Sequence, residues 1–154
     1  MKFLPFVVAL LIAVLSYQRS SDDASKQELP PSTPVGQDHG SQQSSDAELA
    51  RAFEERLTAH QVLGRGTVER VLSDDNDGSR HQRFVVRLAS GQSLMIAHNI
   101  DLAPRVASLQ KGDYVSFYGE YEWNQQGGVI HWTHNDPQGS HVAGWLEHNG
   151  QRYQ

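Results

Sequence analysis

The chain has 154 residues, room for one compact domain with appendages. Its 13 Lys and Arg stand against 18 Asp and Glu, a formal net charge of -5 with neutral histidines, which argues against a basic protein that coats phosphates by charge alone. There is no cysteine, so a disulfide framework, a thiolate zinc finger and a Cys nucleophile are excluded.

Met1-Lys2 is a short positive start, and Phe3 to Leu15 (FLPFVVALLIAVL) is an apolar run with one proline. The run fits the apolar region of a signal peptide and is shorter than the ~20 residues a bilayer span needs. Ser16, two residues after Val14, supplies a small residue for cleavage. Residues 1–16 are therefore predicted to be a cleaved signal peptide, leaving a periplasmic or secreted protein with no stable membrane anchor. Residues 17–44, rich in Ser, Gln, Asp and Pro, bury too little apolar surface to offset chain entropy and read as a disordered linker.

Ser45-Asp46-Ala47-Glu48 matches a capping box, and Leu49, Phe53 and Leu57 recur every four residues, which predicts a helix over 45–60. The period then changes to two. Strands are predicted over 67–72, 82–88, 92–98, 114–123 and 129–133, with turn chemistry at SDDNDGS, Ser90-Gly91, Lys111-Gly112-Asp113 and NQQGG. In the second strand Phe84, Val86 and Leu88 share one face, and Arg83, Val85 and Arg87 the other. Pro104 within 99–110 suits the first turn of a short helix. Five strands with a helix between the third and fourth predict a mainly β domain over 61–154: a small five-stranded OB-fold-like antiparallel barrel. An open sandwich or another small barrel would use the same strands.

Five stretches, DDNDGSRHQRF (74–84), IAHNIDLAPR (96–105), FYGEYEW (117–123), GVIHWTHNDP (128–137) and GWLEHNG (144–150), resemble a family of small exported bacterial proteins grouped as domain of unknown function 3465. The resemblance implies an exported single-domain bacterial protein. It implies no activity and no catalytic residue.

Two constellations carry chemistry. Arg80, His81, Arg83 and Arg87, with His98 and Asp101, gather around the second and third strands, the usual binding wall of an OB-fold-like barrel. Guanidinium forks suit phosphate or carboxylate, and Tyr114, Tyr118 and Trp123 offer stacking platforms, of which Tyr118 is placed with the ligand set. The bland alternative is a solvated face with Arg80 and Arg83 paired to Asp74, Asp75 and Asp77. In the second constellation, His131, His134 and His141 with Asp136 supply imidazole and carboxylate donors for a divalent metal such as Zn. Regular strand would point His131 and His134 to opposite faces, so that set needs the chain to turn.

Three functions follow as expectations. The first is a binding module for an anionic ligand, single-stranded nucleic acid or another anionic polymer. The second is a metal-dependent phosphodiesterase or nuclease using His131, His134, His141 and Asp136, with Glu120 and Glu122 beside Arg83, Arg87 and His98 as a further acid–base set. The third is an envelope structural or interaction protein. From residue 61 onward the charge is only -2, from eight basic and ten acidic residues, so binding by the first route would be weak and salt-sensitive.

Overall fold

A computed structural model describes residues 37–154; the predicted signal peptide and residues 17–36 of the predicted linker lie outside the described residues. The chain runs α1 (Gln37–Glu54), β1 (His60–Val71), β2 (His81–Arg87), β3 (Ser93–Asn99), β4 (Tyr114–Glu122), β5 (Val129–His131), β6 (Trp145–His148) and β7 (Gln151–Tyr153). Strands pair in the order β1-β2-β3-β5-β4, and β4 pairs back onto β1, so five strands close into a barrel. The β3–β5 pair is parallel and the other pairs are antiparallel. Closure leaves no free edge among the five. A β6–β7 hairpin, outside the five predicted strands, extends the sheet from β4 through Val115–His148 to Tyr118–Trp145.

Two expectations are corrected. The helix begins at Gln37 and ends at Glu54, so it takes in the last residues assigned to the linker and stops short of residue 60. Ser45 is not its N-cap: the hydroxyls of Ser44 and Ser45 donate back to the carbonyls of Ser41 and Gln42 at 2.9 and 3.0 Å, inside the helix. Its C-terminus is a Schellman turn. Arg56 takes the left-handed conformation (φ 56°), with Arg56 N–H on the Phe53 carbonyl and Leu57 N–H on the Ala52 carbonyl. That end carries no glycine, so it gave no stop signal.

No helix lies between β3 and β4 among the described residues. Gln82, buried on the inner face of β2, clamps Val106 instead. Its Nε2 donates to the Val106 carbonyl at 3.1 Å and its Oε1 accepts the Val106 N–H at 2.9 Å. Backbone groups that a helical turn would pair internally are thereby spent on the barrel wall.

β1 pairs with β4 through residues 60–67 and with β2 through residues 67–71, so it must bend across the barrel. Gly64 and Gly66 lie inside it, not beyond a helix end. A Cβ at Gly64 would sit 2.4 Å from the Phe117 ring, and one at Gly66 2.6 Å from the Arg87 carbonyl oxygen. Close approach at a barrel bend is what requires glycine there. Inside, Phe84, Val86, Leu94, Ile96, Phe117, Tyr121 and Ile130 form the core, and α1 packs on it through Leu49 and Ala52.

Candidate ligand-binding site

Alternation along β2 turns Gln82, Phe84 and Val86 inward and His81, Arg83, Val85 and Arg87 outward, as predicted. The outward arginines are not free cations. Arg80 donates to both carboxylate oxygens of Asp101, from Nε at 2.7 Å and from its backbone N–H at 2.8 Å. These bonds hold the Asp101 carboxyl below its ordinary range. Arg83 donates to the Ser73 carbonyl at 3.1 Å and lies 3.6 Å from Asp75. Arg87 straddles Glu69, with Nε at 2.9 Å and Nη2 at 2.5 Å, and gives Nη1 to the Gly91 carbonyl. Arg105 pairs with Asp74. Exposed pairs of this kind are each worth about 0–1 kcal/mol, so they neutralise the wall without locking it.

His98 is corrected from a ligand contact to a core residue. β3 turns Leu94, Ile96 and His98 inward together. The His98 Nε2 lies 3.1 Å from the Pro104 carbonyl, which can only accept, so Nε2 carries the proton; Nδ1 accepts from the Thr133 hydroxyl at 2.8 Å. Burial pushes the imidazole down to about 4, and both nitrogens are used. Tyr118 stands on the outer face of β4 beside Trp145, ring centroids 6.3 Å apart. Tyr114 is on the same face, and Trp123 stacks on Phe53 of α1. β4 borders β1, β5 and β6, not β2 or β3, so these rings do not extend the arginine wall.

A groove of about 660 Å³ runs over the outer faces of β1, β2 and β3 and under the β4–β5 loop. Leu72, Val85 and Met95 supply its apolar floor. Three cations line it, Arg70, Arg87 and Lys111, against one carboxylate, Glu69. A register shift between Val68 and Arg70 marks a bulge that puts Glu69 out of the regular ladder. The Lys111 turn is pinned beside that bulge by Gly112 N–H to the Val68 carbonyl and Val68 N–H to the Asp113 carbonyl, both 2.8 Å. Asp113 in turn accepts from the buried His148 Nε2 at 2.9 Å.

Glu69 accepts from Ser93 Oγ at 2.5 Å as well as from Arg87, and these bonds hold its carboxyl below the ordinary value. Arg70 and Lys111 have no carboxylate partner among the described residues. Of the predicted ligand residues, only Arg87 lines this groove. Lys111 and the loop residues Asn124 and Gln126 were visible in the sequence only as turn chemistry. Nothing in a single sequence marks a bulge, so Glu69 and Arg70 gave no signal.

The predicted metal set does not assemble. Asp136 is spent on its own loop, accepting the N–H groups of Gln138 and His141 at 2.8 Å, the N–H of Ser140 and the Ser140 hydroxyl. The backbone donors to it hold its carboxyl far below the ordinary range. His134 gives Nδ1 to the Asn135 carbonyl at 2.7 Å, and His141 stacks on Trp132 at 3.6 Å with Nδ1 3.9 Å from Glu120. Among the described residues no three His, Asp or Glu donors come together in a way that could hold a metal ion.

The family described as "Protein of unknown function (DUF3465)" matches residues 36–154. No curated protein matches the chain.

Proposed function

Because the chain belongs to the DUF3465 family, a family of unknown function, its role has to be read from its own surface, and we propose that it is an exported binding module holding a small anionic ligand in the groove over β1, β2 and β3. The barrel is OB-fold-like in this reading: strand order β1-β2-β3-β5-β4-β1 with a parallel β3–β5 pair supports it, while the absent helix after β3 departs from it. Barrels of that kind bind over strands two and three and the loops beside them. The observation that carries the proposal is that the groove lies on this wall with two cations, Arg70 and Lys111, that form no ion pair within 4 Å among the described residues, though Arg70 feels the Glu69 charge beside it. An anion with an apolar body suits it, the charge on Arg70 and Lys111 and the body on Leu72, Val85 and Met95. A long single-stranded nucleic acid is less well served, since the stacking rings stand on β4.

The test is calorimetric titration with octyl phosphate at low and high salt, beside the oligonucleotide dT15. Saturable binding that weakens with salt, and about tenfold with Arg70→Ala or Lys111→Ala, is the expected result; one charge-assisted hydrogen bond is worth about 1.5–3 kcal/mol. No binding of octyl phosphate, or binding indifferent to both substitutions, refutes the reading. Tighter binding of dT15 that survives both substitutions would move the site to another face.

A further inference from the structure

A second cavity joins residues that the sequence assigned to different sites. His81 at the start of β2, His131 at the end of β5 and His134 in the following loop line one cavity of about 270 Å³, together with Asn99 and Trp132. Register explains the room between them. Ala97 lies on the outward face of β3, and the parallel pairing of Ile96 with Ile130 sets it beside His131, so a methyl group stands where a larger side chain would fill the space. Trp132 explains why His131 and His134 meet. It takes the left-handed backbone conformation (φ 51°), which a bulky residue rarely enters, and the strand breaks there. The period-two alternation is lost there, and His134 lines the same cavity as His131. Strain of this kind is kept only where the surroundings impose it, here with the indole stacked on His141.

The hydrogen bonds fix which nitrogens are available. His81 Nδ1 lies 2.7 Å from the Ser79 carbonyl and His134 Nδ1 2.7 Å from the Asn135 carbonyl. A carbonyl only accepts, so both Nδ1 atoms carry protons and Nε2 is the nitrogen that gains or loses one. No residue lining the cavity is acidic. Around it, Glu120 faces His131 across the β4–β5 pair, Glu122 lies two residues on, and Asp101 is close enough to His81 for their charges to interact. Arg80 and Arg83 flank His81 with their carboxylates engaged, His141 covers Trp132, and neutral His98 lies in the core beneath. Burial and the neighbouring His81 hold the His131 imidazole below its ordinary value, against the opposing pull of Glu122 and Glu120.

We propose that this cavity is a site for a small tetrahedral oxyanion, phosphate or sulfate, which enters together with a proton taken from solvent onto an imidazole Nε2. The protonated ring then donates to the anion, Asn99 and Ser79 offer neutral polar contacts, and no bond other than N–H is made or broken. The site is separate from the groove and does not depend on what the groove binds.

Sulfate is the probe, because it brings no proton of its own near neutrality. The full chain is titrated with sodium sulfate at constant ionic strength, at about pH 7.5 and about pH 5.5, in two buffers of different ionisation enthalpy. The expected result is affinity at least about tenfold higher at the lower pH, with about one proton taken up per sulfate. The His81 and His131 ring-proton resonances should titrate at higher pH with sulfate present. His131→Gln and His81→Gln, each first shown to be folded by near-ultraviolet circular dichroism, should abolish the effect. Arg70→Ala should preserve it. Absence of binding at the lower pH, equal affinity at both, persistence in both histidine variants, or loss in Arg70→Ala overturns the proposal.

Discussion

His98 should make folding stability depend on pH in a window of its own. Its imidazole is ordinarily half-protonated near 6.5, but in the folded protein burial lowers that to about 4. Between these values the unfolded chain binds a proton that the native chain does not, so stability is complete above about pH 6.5 and is lost as pH falls towards 4. At about 1.36 kcal/mol per pH unit the loss approaches about 3 kcal/mol, a large part of the roughly 5–15 kcal/mol a small domain has. Urea unfolding followed by tryptophan fluorescence, repeated from about pH 7.5 to about pH 4.5, measures it. His98→Gln is the informative variant. Its amide can still donate to Pro104 and accept from Thr133, but it does not titrate, so a constant offset should appear while the pH slope flattens. Asp101, Asp113 and Asp136, whose carboxyls are held low in the native state, lose their contribution only as pH falls below their unfolded value of about 4, outside this window. His131 is shifted in the same direction as His98, and Glu69 is held low from an ordinary value that falls inside this window, so a residual slope in the variant belongs to these two. A pH slope in His98→Gln equal to that of the unaltered protein would refute the reasoning.

Gln82→Leu keeps the volume of a buried side chain but orphans the Val106 N–H and carbonyl; at about 1–3 kcal/mol for each unsatisfied group, the urea midpoint should fall by the equivalent of about 2–6 kcal/mol, and an unchanged midpoint would mean the clamp is dispensable. Gly64→Ala puts a methyl into the Phe117 ring across the β1 bend and should cost about 1–3 kcal/mol by the same measurement, whereas Gly78→Ala, which meets no atom within 4 Å, should show only the smaller backbone strain of its positive φ.

Local chemistry was enough to read β2, β3, β4, β5 and the second half of β1, but not residues 60–66 of β1, where Gly64 and Gly66 read as a connection after the helix. Period-two alternation separates Phe84 and Val86 from Arg83 and Arg87, and Val115, Phe117 and Tyr121 from Ser116, Tyr118 and Glu120, because successive side chains of a strand point to opposite faces. The same rule failed at the edges of elements, where the deciding group was distant. Gln82 reads as a polar residue at a strand entrance, yet across the core it holds Val106 and removes the expected helix. His98 reads as an outward imidazole until Pro104 and Thr133 close on it from two loops.

The binding surfaces show the same division. Sequence supplied the arginines, the histidines, the wall they share and two of the acids that pair there, Asp75 with Arg83 and Asp101 with Arg80; the Glu69 that takes Arg87 came from a bulge it did not mark. Composition and spacing thus determined what kinds of side chain this chain could place on a small barrel. Which of them remain available to a ligand was decided only by closure of β4 onto β1, by the bulge at Glu69 and by the strand break at Trp132, since charge neutralisation and lone-pair use depend on neighbours far away along the chain.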